Sequence, residues 1–209
     1  MKATGDAPRL IISDIDGTFI TSAGRVTDRL RTVIVRAVES GAHFGLATGR
    51  PHRWLIPVLE QLPIAPVCVC ANGAVVYDPA SDRVLHAYEL APAAMAEVVE
   101  VAERVLAGVP HGYGVERVGS SALDPEEECF IITPEYNRDA WDSQFGVTDT
   151  QTLISQPAAK LLVRCSSMTS AQMFELIAPE VDPELAHVTY SMDEGLIEIS
   201  LSLIHISEP

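Results

Sequence analysis

Leu10-Ile11-Ile12-Ser13-Asp14-Ile15-Asp16-Gly17-Thr18 is a short apolar run that ends in two carboxylates, a glycine and a hydroxyl. Four apolar-to-small residues are too few for a helix and suit a buried strand, so the acidic pair is expected at the strand's C-terminal tip. Downstream, Leu30, Val33, Ile34, Ala37 and Val38 recur at helical spacing, with Thr27 placed as N-cap and Gly41 just past the end. A second strand is predicted over His43–Ala47, stopping at Thr48-Gly49-Arg50, and Pro51 then suits the first turn of a helix running to about Leu62. The third strand, Val67–Cys70, stops at Ala71-Asn72-Gly73. Strands alternating with crossover helices call for a parallel sheet, because each helix returns the chain to the same end. Three strand tips then converge on one edge, where open α/β sheets bind ligands.

After Val75-Val76-Tyr77 the turn-forming stretch Asp78-Pro79-Ala80-Ser81-Asp82 marks a domain boundary. Residues 81–191 then read as a smaller α+β domain, with a helix over Pro92–Ala107, strands near Cys129–Thr133 and Lys160–Arg164, and a helix near Ser170–Ala178. The stripe Met95, Val98, Val99, Ala102, Val105 and Leu106 is core packing by its spacing. Apolar alternation over Leu196–Ile199 places residues 192–200 back in the first domain.

With 209 residues and 47% hydrophobic composition, the chain has enough apolar material for one core or two small ones. A formal charge of −15 disfavours nucleic acid and anionic membrane surfaces as partners, and no run is long enough to span a bilayer. No basic and then apolar leader is apparent at the start, so cytoplasmic residence is expected. Cys68, Cys70, Cys129 and Cys165 lack paired spacing and read as reduced structural thiols. The six histidines show no metal-ligand spacing.

Two carboxylates two residues apart at a strand tip can meet one phosphorus centre from different directions. Asp14 is placed for in-line attack; Asp16 is placed to protonate the leaving oxygen and later to deprotonate the water that cleaves an aspartyl phosphate. Both would repel a phosphate dianion, so Mg²⁺ is expected, bridging one or two carboxylates to the substrate phosphate. Gly17 permits the turn after the strand, and Thr18 offers a hydroxyl and an amide. Thr48 and the amides beginning at Gly49 would face phosphate oxygens from the neighbouring tip, and Arg50 either pairs with a ligand anion or braces the loop. Asn72 marks the third tip, as a plain turn or as a further ligand. Lys160, with Arg164, is a candidate phosphate ligand from the second domain, although a solvated strand-end lysine is the commoner arrangement.

Taken together, Ile11-Ile12-Ser13-Asp14-Ile15-Asp16-Gly17-Thr18, Gly45-Leu46-Ala47-Thr48-Gly49-Arg50-Pro51 and Ala71-Asn72-Gly73-Ala74 before Val75-Val76-Tyr77-Asp78 resemble the haloacid dehalogenase-like superfamily, and within it the Cof-type hydrolases of subclass IIB. The resemblance covers residues 1–80. It implies an α/β, Rossmann-like parallel-sheet core with an inserted α+β cap of the second class, and a Mg²⁺-dependent phosphatase acting on small phosphorylated metabolites such as sugar phosphates or cofactor-like molecules. It makes Asp14 the nucleophile and metal ligand, Asp16 the acid/base whose backbone carbonyl also reaches the metal, and Thr48 a phosphate-binding hydroxyl. Two of that family's later motifs, a lysine and an acidic Gly-Asp loop, have no counterpart in residues 1–209, so the core is expected to be incomplete and slow in turnover. Residues 201–209 depart from the family pattern and read as a non-native tail. Two other functions share these residues: a phosphomannomutase-like phosphotransferase, and a non-catalytic phospho-acceptor or binding module. Asp16-Gly17-Thr18 argues for turnover, because the second carboxylate supplies a base for the second step.

Overall fold

A computed structural model describes residues 8–136 and 144–202. They divide into two compact units: those up to His86 together with Ser120–Leu123, and Ala87–Gly119 together with those from Asp124 onward.

The first unit begins with strand β1 (Leu10–Asp14) and helix α1 (Asp28–Glu39). Thr27 caps α1 by accepting from Leu30 N–H, which satisfies one of the helix's orphan donors. Strand β2 (His43–Ala47) follows. The continuous helix expected from Pro51 to Leu62 is instead a 3₁₀ turn over His52–Leu55 and one α-turn, α2 (Ile56–Leu59). Pro57 accounts for the break, since its missing N–H and its ring deny the helical bond back to residue 53. Strands β3 (Val67–Cys70), β4 (Val75–Asp78) and β5 (Arg83–Ala87) complete a five-stranded sheet in the order β1-β2-β3-β4-β5. β1, β2 and β3 are parallel, as the alternation with helices requires, and β4 turns back antiparallel on β3. The unit is therefore an α/β, Rossmann-like layer structure.

The second unit carries helix α3 (Pro92–Val105), strand β6 (Gly112–Glu116), the short α4 (Glu126–Cys129), β7 (Phe130–Ile132), β8 (Gly146–Val147), α5 (Thr150–Leu153), β9 (Lys160–Arg164), α6 (Ser170–Ile177), β10 (Ala186–Thr189) and β11 (Leu196–Leu201). Its sheet runs β10-β11-β9-β6-β7-β8 and is antiparallel except between β7 and β8. Alternation divides each central strand between two faces. Tyr113, Val115, Leu161, Val163, Ile197 and Ile199 enter one core with Met95, Val98 and Ala102 of α3 and Met173 and Ile177 of α6. On the other face Leu162 and Leu196 join Phe130, Ile132 and Tyr136 in a smaller cluster.

Leu196–Ile199 thus lies elsewhere than its alternation suggested. β11 pairs with β9 and β10 inside the second unit and does not rejoin the first sheet. Ile197 and Ile199 fill the helix-covered core while Glu198 meets Lys160 on the opposite face. Alternation identifies a strand but not the sheet that receives it. Lys160 is likewise neither solvated nor free: it is buried, and its Nζ donates to Glu198 Oε2 at 2.5 Å. Leu201 closes β11, and residues 203–209 of the expected tail lie outside the described residues, as do residues 1–7.

Candidate active site

The site is built on strand register. Asp14 stands opposite Ala47, and Ala47 opposite Val69, so the loops leaving β1, β2 and β3 emerge side by side. Thr48 N–H donates to Val69 O at 2.9 Å, Ala71 N–H to Arg50 O at 2.9 Å, and Asn72 N–H to Thr48 O at 3.2 Å. These bonds lock the second and third loops together. Asn72 takes a left-handed conformation (φ 57°, ψ 30°), which short polar side chains tolerate better than most. A Cβ at position 49 would lie 2.7 Å from Asn72 Oδ1, so only glycine there leaves room for the Asn72 carboxamide. Thr48 is buried and its Oγ1 accepts from Arg50 N–H at 3.1 Å.

On the first loop, Ile15 is fully buried, and its carbonyl accepts from Phe19 N–H at 3.0 Å and Ile20 N–H at 3.1 Å. The anchored turn leaves Asp16, Gly17 and Thr18 exposed, with Gly17 at φ +73° completing the reversal. Asp14, the last residue of β1, is also exposed, and no described residue hydrogen-bonds its carboxylate. Asp16 is held firmly. Arg50 Nε donates to its Oδ2 at 2.9 Å and Nη2 to its Oδ1 at 2.6 Å, a two-point fork that fixes the plane of the carboxylate.

The strand tips therefore gather Asp14, Asp16, Thr48, Gly49, Arg50 and Asn72 at one edge, with Gly17 and Thr18 on the exposed turn. Of the two roles open to Arg50, bracing is the one seen, and its partner is Asp16. Nothing in the sequence signals that pair, since its members stand 34 positions apart and meet only through the fold. Lys160 does not join the cluster; it belongs to the second unit and pairs with Glu198.

The two carboxylates differ in a useful way, one unencumbered and one clamped. Among the described residues no cluster of three or more histidine, cysteine or acidic side chains is gathered to hold a metal. A pair of hard oxygen donors at an exposed tip fits Mg²⁺, which keeps several waters and takes one or two carboxylates, better than it fits a closed all-protein cage.

Comparison with known proteins agrees with this geometry. The sequence profile of the haloacid dehalogenase-like hydrolases matches residues 11–202. Phosphatase YwpJ of Bacillus subtilis is 34% identical over 71 residues, which are 34% of this chain and 25% of that protein. Pyridoxal phosphate phosphatase YbhA of Escherichia coli is 32% identical over 79 residues, 38% of this chain and 29% of that protein. The matched segment is thus under a third of either relative's length. The structure of BT1666 from Bacteroides thetaiotaomicron, a phosphatase of the same superfamily, superimposes with a TM-score of 0.71 at 13% identity, covering 97% of this chain and 70% of that one. Strand-tip carboxylates, the Thr48 and Asn72 loops, the profile and the shared fold lead to one conclusion: the chain belongs to the haloacid dehalogenase-like hydrolases.

Proposed function

We propose that this chain carries the reacting half of a cytoplasmic, Mg²⁺-dependent phosphatase for small phosphorylated metabolites, working through an aspartyl phosphate on Asp14. The observation that carries the reading is the inequality of the two carboxylates: Asp14 is exposed and unbonded, while Asp16 is clamped by Arg50 beside it. A nucleophile must be free to approach phosphorus, and an acid/base must be held in a fixed direction. Relatives named as phosphatases, one of them for pyridoxal phosphate, support the choice of reaction and of a small substrate.

In the first step an Asp14 carboxylate oxygen forms a bond to phosphorus as the bond to the leaving oxygen breaks, and Asp16 gives that oxygen a proton. In the second, Asp16 takes a proton from water, the water oxygen bonds to phosphorus, and the acyl-phosphate bond breaks to restore Asp14. The Arg50 fork fixes the direction in which the Asp16 carboxylate faces in both steps. Thr48 and the amides of its loop would orient the phosphoryl oxygens. The Asp14 carboxylate and the Asp16 backbone carbonyl would hold Mg²⁺, whose charge would offset the repulsion between an anionic nucleophile and a phosphate dianion.

Phosphate release from a panel of small phosphomonoesters tests the reading. Release should need Mg²⁺, stop with EDTA, and vanish in Asp14→Asn. Release that survives Asp14→Asn would overturn it.

A further inference from the structure

His52 is the most deeply buried histidine among the described residues, 2% exposed at the head of the 3₁₀ turn that follows Arg50 and Pro51. Its ring lies against that of Tyr77, with 5.0 Å between centroids, and its Nε2 lies 3.3 Å from the carbonyl oxygen of Ser121. A carbonyl oxygen only accepts, so Nε2 carries the hydrogen and donates it.

Ser121 comes from a strap, Ser120–Leu123, that belongs to the first unit although Gly119 and Asp124 on either side of it belong to the second. Asp82 fastens the strap. One of its carboxylate oxygens accepts from Tyr77 OH at 2.7 Å and from Ala122 N–H at 2.9 Å, and the other from Ser121 Oγ at 2.5 Å. The circuit is closed, because Tyr77 meets both Asp82 and His52, and Ser121 bonds to both. Packing over Tyr77 needs none of this: an aliphatic side chain would fill the space without burying a donor that must then be satisfied. What the imidazole adds is position, since a hydrogen bond to an anchored carbonyl fixes the residue that bears it.

That position is passed on to Arg50. Pro51, at φ −64° and ψ 151°, joins the two residues with little rotational freedom. On the strand-tip side Arg50 is already held, its N–H donating to Thr48 Oγ1 and its carbonyl accepting from Ala71 N–H. His52 fixes the chain on the other side. The guanidinium so aimed makes the two-point fork to Asp16.

We propose that His52 is a positioning residue: held by the Asp82-bound strap, it sets the place from which Arg50 reaches Asp16, and so the direction of the Asp16 carboxylate. The importance of that direction for catalysis rests on the phosphatase reading; the fork itself does not.

The test is solvent exchange of the Arg50 Nε–H, followed by proton–nitrogen NMR of the folded full chain at mildly acidic pH. It needs no turnover, so failure of the positioning role and failure of the phosphatase reading give different results. His52→Leu should speed this exchange about tenfold, the contribution of one net hydrogen bond, while Thr48 N–H, bonded to Val69 O, keeps its rate. His52→Gln, whose carboxamide nitrogen reaches the place of Nε2, should restore the parent rate. An unprotected Arg50 Nε–H in the parent, an unchanged rate in His52→Leu, equal acceleration at Thr48, or no rescue by glutamine would overturn the proposal. If His52→Leu does not fold, Ser121→Ala loosens the strap at its bond to Asp82 and leaves the core intact; it should accelerate Arg50 exchange severalfold, and no change would overturn the proposal. In the phosphomonoester assay, His52→Leu should slow release from an alkyl phosphate, whose leaving oxygen needs the Asp16 proton, about tenfold more than release from nitrophenyl phosphate. Equal slowing of the two would also overturn it, and in a chain without turnover the exchange rates alone decide.

Discussion

Arg50 gives the clearest case of a residue whose role comes from the fold. Its guanidinium grips both oxygens of Asp16 while leaving Asp14 alone, which makes two chemically identical groups unequal, as the proposed nucleophile and acid/base require. The pair is partly exposed, with side-chain accessibilities of 33% and 53%, so its contribution to stability is about 0–1 kcal/mol and its value lies in orientation. Asp16→Asn is therefore expected to leave the folding midpoint nearly unchanged and to slow phosphate release by about 10²–10⁴, with KM altered only severalfold. Steady-state kinetics beside a denaturant titration check this; equal losses in KM and kcat would remove Asp16 from the acid/base role. The motif residues themselves were legible in the sequence because their signal is local: Asp14, Asp16 and Gly17 follow directly on an apolar run, and Thr48 and Asn72 on two others. The Arg50–Asp16 contact was not, since a helix-breaking loop in one segment and a turn in another had first to be brought together.

At the scale of elements, periodicity located the longer helices and about half of the strands, missed β5, β6, β8 and β10, and placed partners poorly. α1 with its Thr27 cap and the stripe on α3 are found where spacing put them, because both depend on neighbours in sequence. Pro57 broke the helix after β2, and β11 joined the second sheet, because a proline effect inside a short segment and a choice between two sheets are decided by packing. Lys160 illustrates the same limit: lysine is usually exposed, and its hydrogen bond from β9 to Glu198 of β11 gives its ammonium a partner inside. Breaking such a buried pair leaves a charge uncompensated. Lys160→Met should destabilise the second unit by about 3–5 kcal/mol, and Lys160→Met with Glu198→Leu should recover most of the loss. Urea midpoints for the single and double variants check it; a double variant as weak as the single one would show that the pair is not the source of the effect.

For the whole molecule, pH dependence reports on how the carboxylates are used. Asp82, between β4 and β5, accepts from Ser121 Oγ at 2.5 Å, Ala122 N–H at 2.9 Å and Tyr77 OH at 2.7 Å. These bonds favour its anion and hold its pKa below the usual carboxylate value, so its contribution to stability is present above about pH 4 and lost as pH falls through the lower folded-state value. Asp82→Asn should accordingly be less stable than the parent near pH 7, with the difference shrinking toward pH 3; a constant gap would contradict the linkage. Burial acts the other way on thiols, pushing Cys68 up to about 12, which suits four free cysteines serving as packing. The formal charge of −15 includes the two carboxylates that the candidate site exposes at a strand tip, and that is the electrostatic problem a phosphatase built on Asp14 must solve. The most direct measurement of that claim is chemical capture of the intermediate. The Asp16→Asn chain, in excess over a reactive small phosphomonoester with Mg²⁺ present, is quenched with borohydride, which reduces an acyl phosphate to an alcohol, and its peptides are mapped by mass. The account predicts homoserine at position 14, dependent on the phosphomonoester and absent when Asp14 is replaced by Asn. Capture at another residue, or phosphate release with position 14 unmodified, would contradict it.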